Sequence, residues 1–186
     1  AIKNMVCPRC IAAVQQLLDA LDFNPVDVQL GEATIKKELT QKETLLLKEK
    51  LNELGFELLE DSKIQLTEKI KAIIINHIHH LEEGYVLFSE LLSKEIHKDY
   101  SAISKLFSAT EGITIEQFII LQKIEKVKEL LQYNQMTLSE IAYKMGYSSV
   151  AHLSAQFRKT TGITPSVYRT QGGTSRKSLD DIAKTL

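Results

Sequence analysis

The sequence predicts an α+β protein, with a small βαββαβ domain over residues 1–62 and an all-α domain over residues 63–171 in which two helix-turn-helix units are joined by a long helix. Three observations support this prediction: strand and helix patterns alternate at the start, a later segment repeats itself, and the charge changes sign between the two parts. Residues 1–62 carry seven Lys or Arg against eleven Asp or Glu, whereas residues 63–171 carry thirteen against eleven. An acidic module beside a mildly basic one is typical of an effector module attached to a nucleic-acid-binding module.

The first sixty residues alternate between strand and helix signatures. Strand-like segments are predicted at residues 2–6, 26–30, 33–37 and 56–59. An apolar stripe from Ile11 to Leu21 predicts one helix between them, and the capping box of Thr40 with Glu43 predicts the start of a second. This order of elements is the ferredoxin-like, split βαβ pattern.

The two cysteines of the chain, Cys7 and Cys10, lie where the first predicted strand turns into the first predicted helix. A helix N-terminus lowers the pKa of a thiol, and the thiolate is both a metal ligand and a nucleophile. A CxxC pair without an export signal indicates cytosolic metal or redox chemistry. Two soft thiolates suit Cu(I), while Zn(II) needs further ligands. The alternatives are a reversible disulfide and a packing role for both thiols.

The residues around the cysteines carry a family resemblance. The segment MVCPRC at residues 5–10 and the step LGF at residues 54–56 resemble heavy-metal-associated domains, the modules of copper chaperones and metal-pump tails. The resemblance covers about residues 1–60 and implies a ferredoxin-like fold with Cys7 and Cys10 as metal ligands. The sequence departs from that family at Asn4, where glycine is usual, and this puts the backbone freedom of the loop in question.

A repeat organises the second part of the chain. When residues 89–118 are shifted by fifty positions onto residues 139–168, nine of the thirty pairs are identical and no gap is needed. Such self-similarity indicates a duplicated supersecondary unit. In the second copy Gly146 and Gly162 are expected to end two short helices, the first of which opens on a Thr137 capping box. Two short helices joined by a tight turn predict a helix-turn-helix, which lays its second helix in the major groove of DNA.

Residues 138–169, LSEIAYKMGYSSVAHLSAQFRKTTGITPSVYR, closely resemble the signature of the AraC/XylS family of bacterial transcription regulators. With the first copy and the intervening helix, the resemblance covers about residues 66–169. It implies two helix-turn-helix units that read adjacent major-groove segments of double-stranded operator or promoter DNA. RNA polymerase is a further expected partner.

The resemblance also places the DNA contacts. Base contacts are expected from Ser101, Ser104 and Lys105 in the first copy, and from Ala151, Ser154 and Ala155, with His152 beside them, in the second. Since alanine offers only a methyl contact to thymine, the second copy is expected to read little sequence directly and to act through phosphates and DNA shape. The expected phosphate contacts are Arg158, Lys159 and the backbone amides at Ser148 and Ser149. The alternative is that the second copy serves only as a structural support.

Other classes of protein find little support. The chain has no phosphate loop, nucleophile elbow or HExxH motif, so no catalytic residue is predicted. It has no run of 18 apolar residues and no secretory signal, and we expect a cytoplasmic protein with no membrane partner. His77 is expected in the core of a helix at residues 66–81, with His79 and His80 facing solvent rather than binding metal. Residues 172–186 are predicted to form a flexible tail.

The sequence therefore predicts a sequence-specific DNA-binding regulator, with a response to a soft metal ion or to thiol redox state as a further expectation. The rival interpretation is a metal-binding or metal-delivery protein whose helical half mediates protein contacts. Binding to duplex DNA distinguishes the two.

Overall fold

The computed structural model describes residues 1–59, 62–80 and 86–171. The chain divides into two compact units, Ala1–Asn76 and His77–Leu186. The predicted flexible tail at residues 172–186 lies outside the described residues. None of the helices in the described part of the chain combines the length and apolarity that a membrane crossing requires.

The first unit has the predicted order of elements. Its strands and helices are β1 Ile2–Lys3, α1 Pro8–Ala20, β2 Pro25–Gln29, β3 Glu32–Ile35, α2 Gln41–Glu53 and β4 Glu57–Leu58. The capping box at the start of α2 forms as predicted, because Glu43 N donates to the Thr40 hydroxyl while Thr40 N donates to the Glu43 carboxylate. The buried side chains that hold this unit together are Ile2, Met5, Val14, Leu18, Phe23, Leu47, Leu51 and Phe56.

The strands pair as two antiparallel ribbons rather than one sheet. Ile2 of β1 lies opposite Leu58 of β4, and Gln29 of β2 lies opposite Glu32 of β3. Among the described residues, the two ribbons form separate two-stranded sheets. Ile2 N donates to Gly31 O over 2.8 Å between them. Strands of two residues, such as β1 and β4, offer too few ladder hydrogen bonds to build a continuous four-stranded sheet. The ferredoxin-like fold is therefore not confirmed and stays a prediction.

The second unit is helical, and the fifty-residue repeat is visible in its elements. Its helices are the last residues of α3 Ser62–His79, then α4 Phe88–Ile96, α5 Tyr100–Glu111, α6 Ile115–Tyr133, α7 Leu138–Lys144, α8 Val150–Thr161 and α9 Pro165–Thr170. Helices α4 and α5 form the first helix-turn-helix, α7 and α8 form the second, and α6 is the long helix that joins them. Gly112 and Gly162 end α5 and α8 in left-handed conformations, at φ 74° and 84°.

The same aromatic contact recurs in both copies. The rings of Phe107 and Phe118 are 5.6 Å apart, and so are the rings of Phe157 and Tyr168, which occupy the equivalent positions. Each pair is at least 98% buried. The pairs attach the second helix of each copy to the helix that follows it.

The two turns differ although the helices keep their spacing. After α4 the chain reverses through His97, a non-glycine residue at φ 55°. After α7 it passes through Met145 before the left-handed residue, Gly146 at φ 68°. The longer α4 is followed by a shorter turn, and the shorter α7 is followed by a longer one. Helices α5 and α8 therefore still begin fifty residues apart.

Helix α6 buries polar side chains as well as apolar ones. Glu125 and Lys128, one turn apart and almost fully buried, form an ion pair of 2.6 Å. Gln122 is fully buried, and its Oε1 lies 2.9 Å from His79 Nε2. His79 is therefore not the solvent-facing residue that the sequence suggested, and burial lowers its pKa to about 4.

At Gly162 the free-energy cost of a positive φ can be measured without a steric clash. A Cβ at Gly162 would meet no atom within 4 Å, so Gly162→Ala adds strain only through its positive φ. We expect the free energy of unfolding to fall by about 1 kcal/mol in urea denaturation. Gly162→Asn is the matched control, because asparagine tolerates this conformation and already ends α6 at Asn134 with φ 51°. Equal losses for Ala and Asn would contradict the explanation.

The partly buried His79 predicts a pH dependence of stability. Because its pKa is about 4 in the folded chain and about 6.5 when unfolded, the unfolded state binds more protons between these values. Stability should therefore be complete above pH 6.5 and fall by about 1–2 kcal/mol as the pH drops from 6.5 to 5. His79→Gln keeps a side-chain donor for Gln122 and removes the titration. Urea midpoints that fall equally in the wild type and the variant would show that another group is responsible.

Candidate nucleic-acid interface

Helix α5 presents one polar face to solvent. Ile103 and Phe107 are buried at 1% and 0% exposure. On the opposite side Ser101 and Lys105 are exposed and Ser104 is partly exposed. A serine hydroxyl both donates and accepts, and the lysine ammonium donates, so this face offers hydrogen bonds to base edges.

Helix α8 has the same orientation of buried and exposed positions but different chemistry. Leu153 and Phe157 are fully buried. Ser154 is partly exposed. The other expected contact residues are exposed on the opposite side of the helix, namely Ala151, His152, Ala155, Arg158 and Lys159. The two basic residues lie in the last turn of the helix, and the alanines lie nearer its start. Positive charge is therefore concentrated at the end of α8 that is distant from its N-terminus.

The start of α8 is organised by two adjacent serines with different roles. Ser149 is the N-cap, and its hydroxyl accepts from His152 N over 3.1 Å. The hydroxyl of Ser148 instead lies 3.1 Å from His152 Nδ1. Ser149, and not Ser148, is therefore the residue that caps α8. Both remain at a helix N-terminus of the kind that binds phosphate through backbone amides.

Side chains outside the reading helices hold the second turn, and sequence reasoning missed them. Lys123 of α6 donates to Met145 O over 2.8 Å, and its Nζ lies 5.5 Å from the centre of the Tyr147 ring. Arg169 Nη2 donates to Met136 O over 2.8 Å, just before α7. Burial lowers the pKa of Lys123. A lysine in the middle of a largely buried helix was the available signal, but its partner lies 22 residues away.

The cysteine pair lies at the start of α1 as predicted. Cys7 is the N-cap residue, Pro8 opens the helix, and the Sγ atoms of Cys7 and Cys10 are 3.2 Å apart. Both thiols are free and partly buried. Asn4, which replaces the glycine of the resembled family, adopts φ 71°, and its side-chain amide donates to Gly55 O over 3.0 Å. Asparagine is one of the few residues suited to that conformation, so the loop keeps its left-handed position.

The thiol chemistry differs from the simple helix-dipole expectation. Burial raises the pKa of the Cys10 thiol, although backbone hydrogen bonds from Val6 and Cys7 act in the opposite direction. In the described ranges, no group of three or more His, Cys, Asp or Glu side chains is arranged to hold a metal. A metal–sulfur bond of about 2.3 Å places two sulfurs of a tetrahedral ion about 3.8 Å apart, so a metal needs the pair to open slightly. Two thiols without further ligands fit Cu(I) better than Zn(II).

Comparison with known proteins identifies the helical part of the chain. Residues 92–171 match a family model described as a helix-turn-helix domain. The HTH-type transcriptional activator RhaR of Cronobacter sakazakii is 34% identical over 71 residues, which are 38% of this chain and 25% of that protein. The uncharacterized HTH-type transcriptional regulator YtdP of Bacillus subtilis is 28% identical over 104 residues, which are 56% of this chain and 13% of that protein. The chain thus spans a quarter or less of the length of these two relatives.

A solved structure shares the fold. A DNA-binding transcriptional dual regulator from Escherichia coli K-12 superposes with a TM-score of 0.51 at 18% identity, over 64% of this chain and 99% of that one. The family match and the sequence relatives favour the DNA-binding interpretation over the metal-delivery one, and they do not show the expected heavy-metal-associated domain. Residues 92–171 are therefore similar to a helix-turn-helix domain, in agreement with the two helix-turn-helix units of the structure.

Proposed function

We propose that this chain regulates transcription by placing α5 and α8 in adjacent major-groove segments of double-stranded DNA. The observation that carries the proposal is the repeated arrangement of the two helices, each with its aromatic pair buried and its opposite face exposed. Two recognition helices at a fixed separation read two groove segments of one duplex, as paired helix-turn-helix units do. RhaR is named an activator. Activation acts on RNA polymerase, which is therefore a proposed second partner.

The two helices have different proposed roles at the DNA. Ser101, Ser104 and Lys105 of α5 supply hydrogen-bonding groups for base edges. Arg158 and Lys159 of α8 supply positive charge for phosphates, together with the amides at the N-terminus of that helix. Ala151 and Ala155 contribute close approach and methyl contacts rather than hydrogen bonds.

We further propose that Cys7 and Cys10 make DNA binding responsive to Cu(I) or to oxidation. The proximity of the two thiols supports this, because a small displacement brings them into one metal shell or into a disulfide. Binding of Cu(I) displaces the protons of both thiols, so the bound pair carries one more negative charge than the free pair and the metal acts on the loop through its bonds to sulfur rather than by neutralising charge. When bound, Cu(I) supplies only its charge and its affinity for thiolate, and Cys7 and Cys10 are the residues that would hold it.

The phosphate contacts predict a change in salt dependence. Arg158→Ala with Lys159→Ala should weaken binding to all duplexes and reduce the slope of log affinity against log salt by up to about two, one for each lost phosphate contact. Fluorescence anisotropy from 50 to 300 mM salt measures the slope. Lys36→Ala with Lys42→Ala removes the same charge from the exposed surface of the N-terminal unit and is the control. An unchanged slope in the folded Arg158/Lys159 variant would remove both residues from the interface.

The thiol proposal predicts reciprocal coupling. If Cu(I) changes DNA affinity, DNA must change Cu(I) affinity by the same factor, typically about 5- to 150-fold. Competition titrations with a Cu(I) chelator, with and without operator DNA, measure this factor. Cys7→Ser with Cys10→Ser should keep the fold and lose the response of DNA affinity to Cu(I) and to oxidant. Equal Cu(I) affinities with and without DNA would remove the metal response while leaving the DNA-binding proposal intact.

A further inference from the structure

Three side chains form a contiguous contact from α6 to the exposed face of α8. The Nζ of Lys123 lies 5.5 Å from the centre of the Tyr147 ring, and that ring meets the His152 ring edge-on at 5.3 Å between centroids. Lys123 also donates to Met145 O, two residues before Tyr147. A basic side chain of α6 thus holds both the turn of the second helix-turn-helix and the ring against which His152 packs.

Tyr147 serves this contact through its ring. It is 9% exposed, and its hydroxyl is buried without a hydrogen-bond partner in the part of the chain that the structure describes. Burial raises its pKa to about 12, so the hydroxyl stays protonated. Burying a hydroxyl without a hydrogen bond costs free energy. Contacts of the Tyr147 ring with Lys123 and His152 offset that cost. The ring is therefore a spacer between Lys123 and His152.

His152 is held from a second direction. Ser148 Oγ lies 3.1 Å from Nδ1, which leaves Nε2 as the remaining polar atom of the exposed imidazole. His152 lies three residues after the N-cap Ser149. The first turn of a recognition helix contacts base edges in helix-turn-helix complexes. An exposed side chain at this position whose ring is fixed on two sides loses little conformational entropy when it binds.

We propose that His152 is the base-reading side chain of α8, and that Tyr147, Lys123 and Ser148 are its positioning residues. The proposed ligand is the acceptor edge of guanine, O6 and N7, in the major groove. Nε2 donates in the tautomer in which Nδ1 accepts from the Ser148 hydroxyl. This inference rests on the proposed DNA-binding function and assigns sequence recognition to a helix whose alanines supply none.

The first helix-turn-helix lacks this arrangement of side chains, so it can be compared with the second within the same chain. The positions equivalent to Tyr147 and His152 are occupied by His97 and Ala102. Ala102 has no polar side chain to orient. The two helices therefore read DNA through different positions, with Lys105 on α5 and His152 on α8.

The test is selection of bound sequences from a randomised duplex library, using the full chain. The wild type should prefer guanine at one position of the half-site bound by α8, and His152→Ala should reduce that preference about tenfold. Lys123→Met and Ser148→Ala should reduce it at the same position, and Lys123→Arg should restore it. Lys105→Ala should instead relax base choice in the other half-site.

Variants of the two adjacent serines distinguish an effect on the orientation of His152 from an effect on the stability of α8. Ser149→Ala removes the N-cap and should lower stability and overall affinity while the guanine preference remains, whereas Ser148→Ala should lose the preference with less effect on stability. If Lys123→Met does not fold, the Ser148→Ala result decides alone. Selective binding by the wild type that is unchanged in His152→Ala overturns this inference and leaves the proposed function standing. A wild type that binds no duplex overturns both.

Discussion

The burial of two equivalent aromatic pairs, Phe107 with Phe118 and Phe157 with Tyr168, is the interaction on which the helical unit depends. Each pair removes two large side chains from water, and aromatic rings in this geometry add about 0.5–1.5 kcal/mol beyond the area that they bury. Because one member of each pair lies on a recognition helix, the same contact that stabilises the unit sets which side of α5 and α8 faces solvent. The stability of the unit and the direction of the exposed faces of α5 and α8 therefore have one physical cause.

Helix α6 combines this apolar support with polar contacts that are directional. The side chains of Glu125 and Lys128 are only 6–7% exposed. Separating two buried charges is strongly unfavourable, so this ion pair restricts movement of the helix around it. Lys123 adds a hydrogen bond to the end of α7 and a cation near the Tyr147 ring. A cation at a helix C-terminus is also favoured by the helix dipole. Apolar packing alone tolerates small shifts, whereas these contacts restrict how the second turn can move.

The two copies show how a duplicated unit diverges without losing its geometry. The capped starts at Thr114 and Thr164 and the glycine ends of α5 and α8 are retained, since they satisfy backbone groups that any sequence must satisfy. The exposed side chains have changed freely, because solvent imposes no packing constraint on them. Lys105 of the first copy corresponds to Ala155 of the second copy, and Ala102 corresponds to His152. The unequal chemistry of the two exposed helix faces is thus compatible with nearly equal backbones.

The sequence by itself determined the helices of the repeat, the caps at Thr40 and Thr137, and the order of elements around Cys7. These features depend on interactions within about four residues along the chain, and periodicity and capping residues report such interactions directly. Only the tertiary structure decided that β1 pairs with β4, that the His79 ring lies against the Gln122 side chain, and that Lys123 supports the turn at Tyr147. Those contacts join residues that are 22 to 56 positions apart. No local pattern encodes them, because they depend on how separate elements pack in three dimensions.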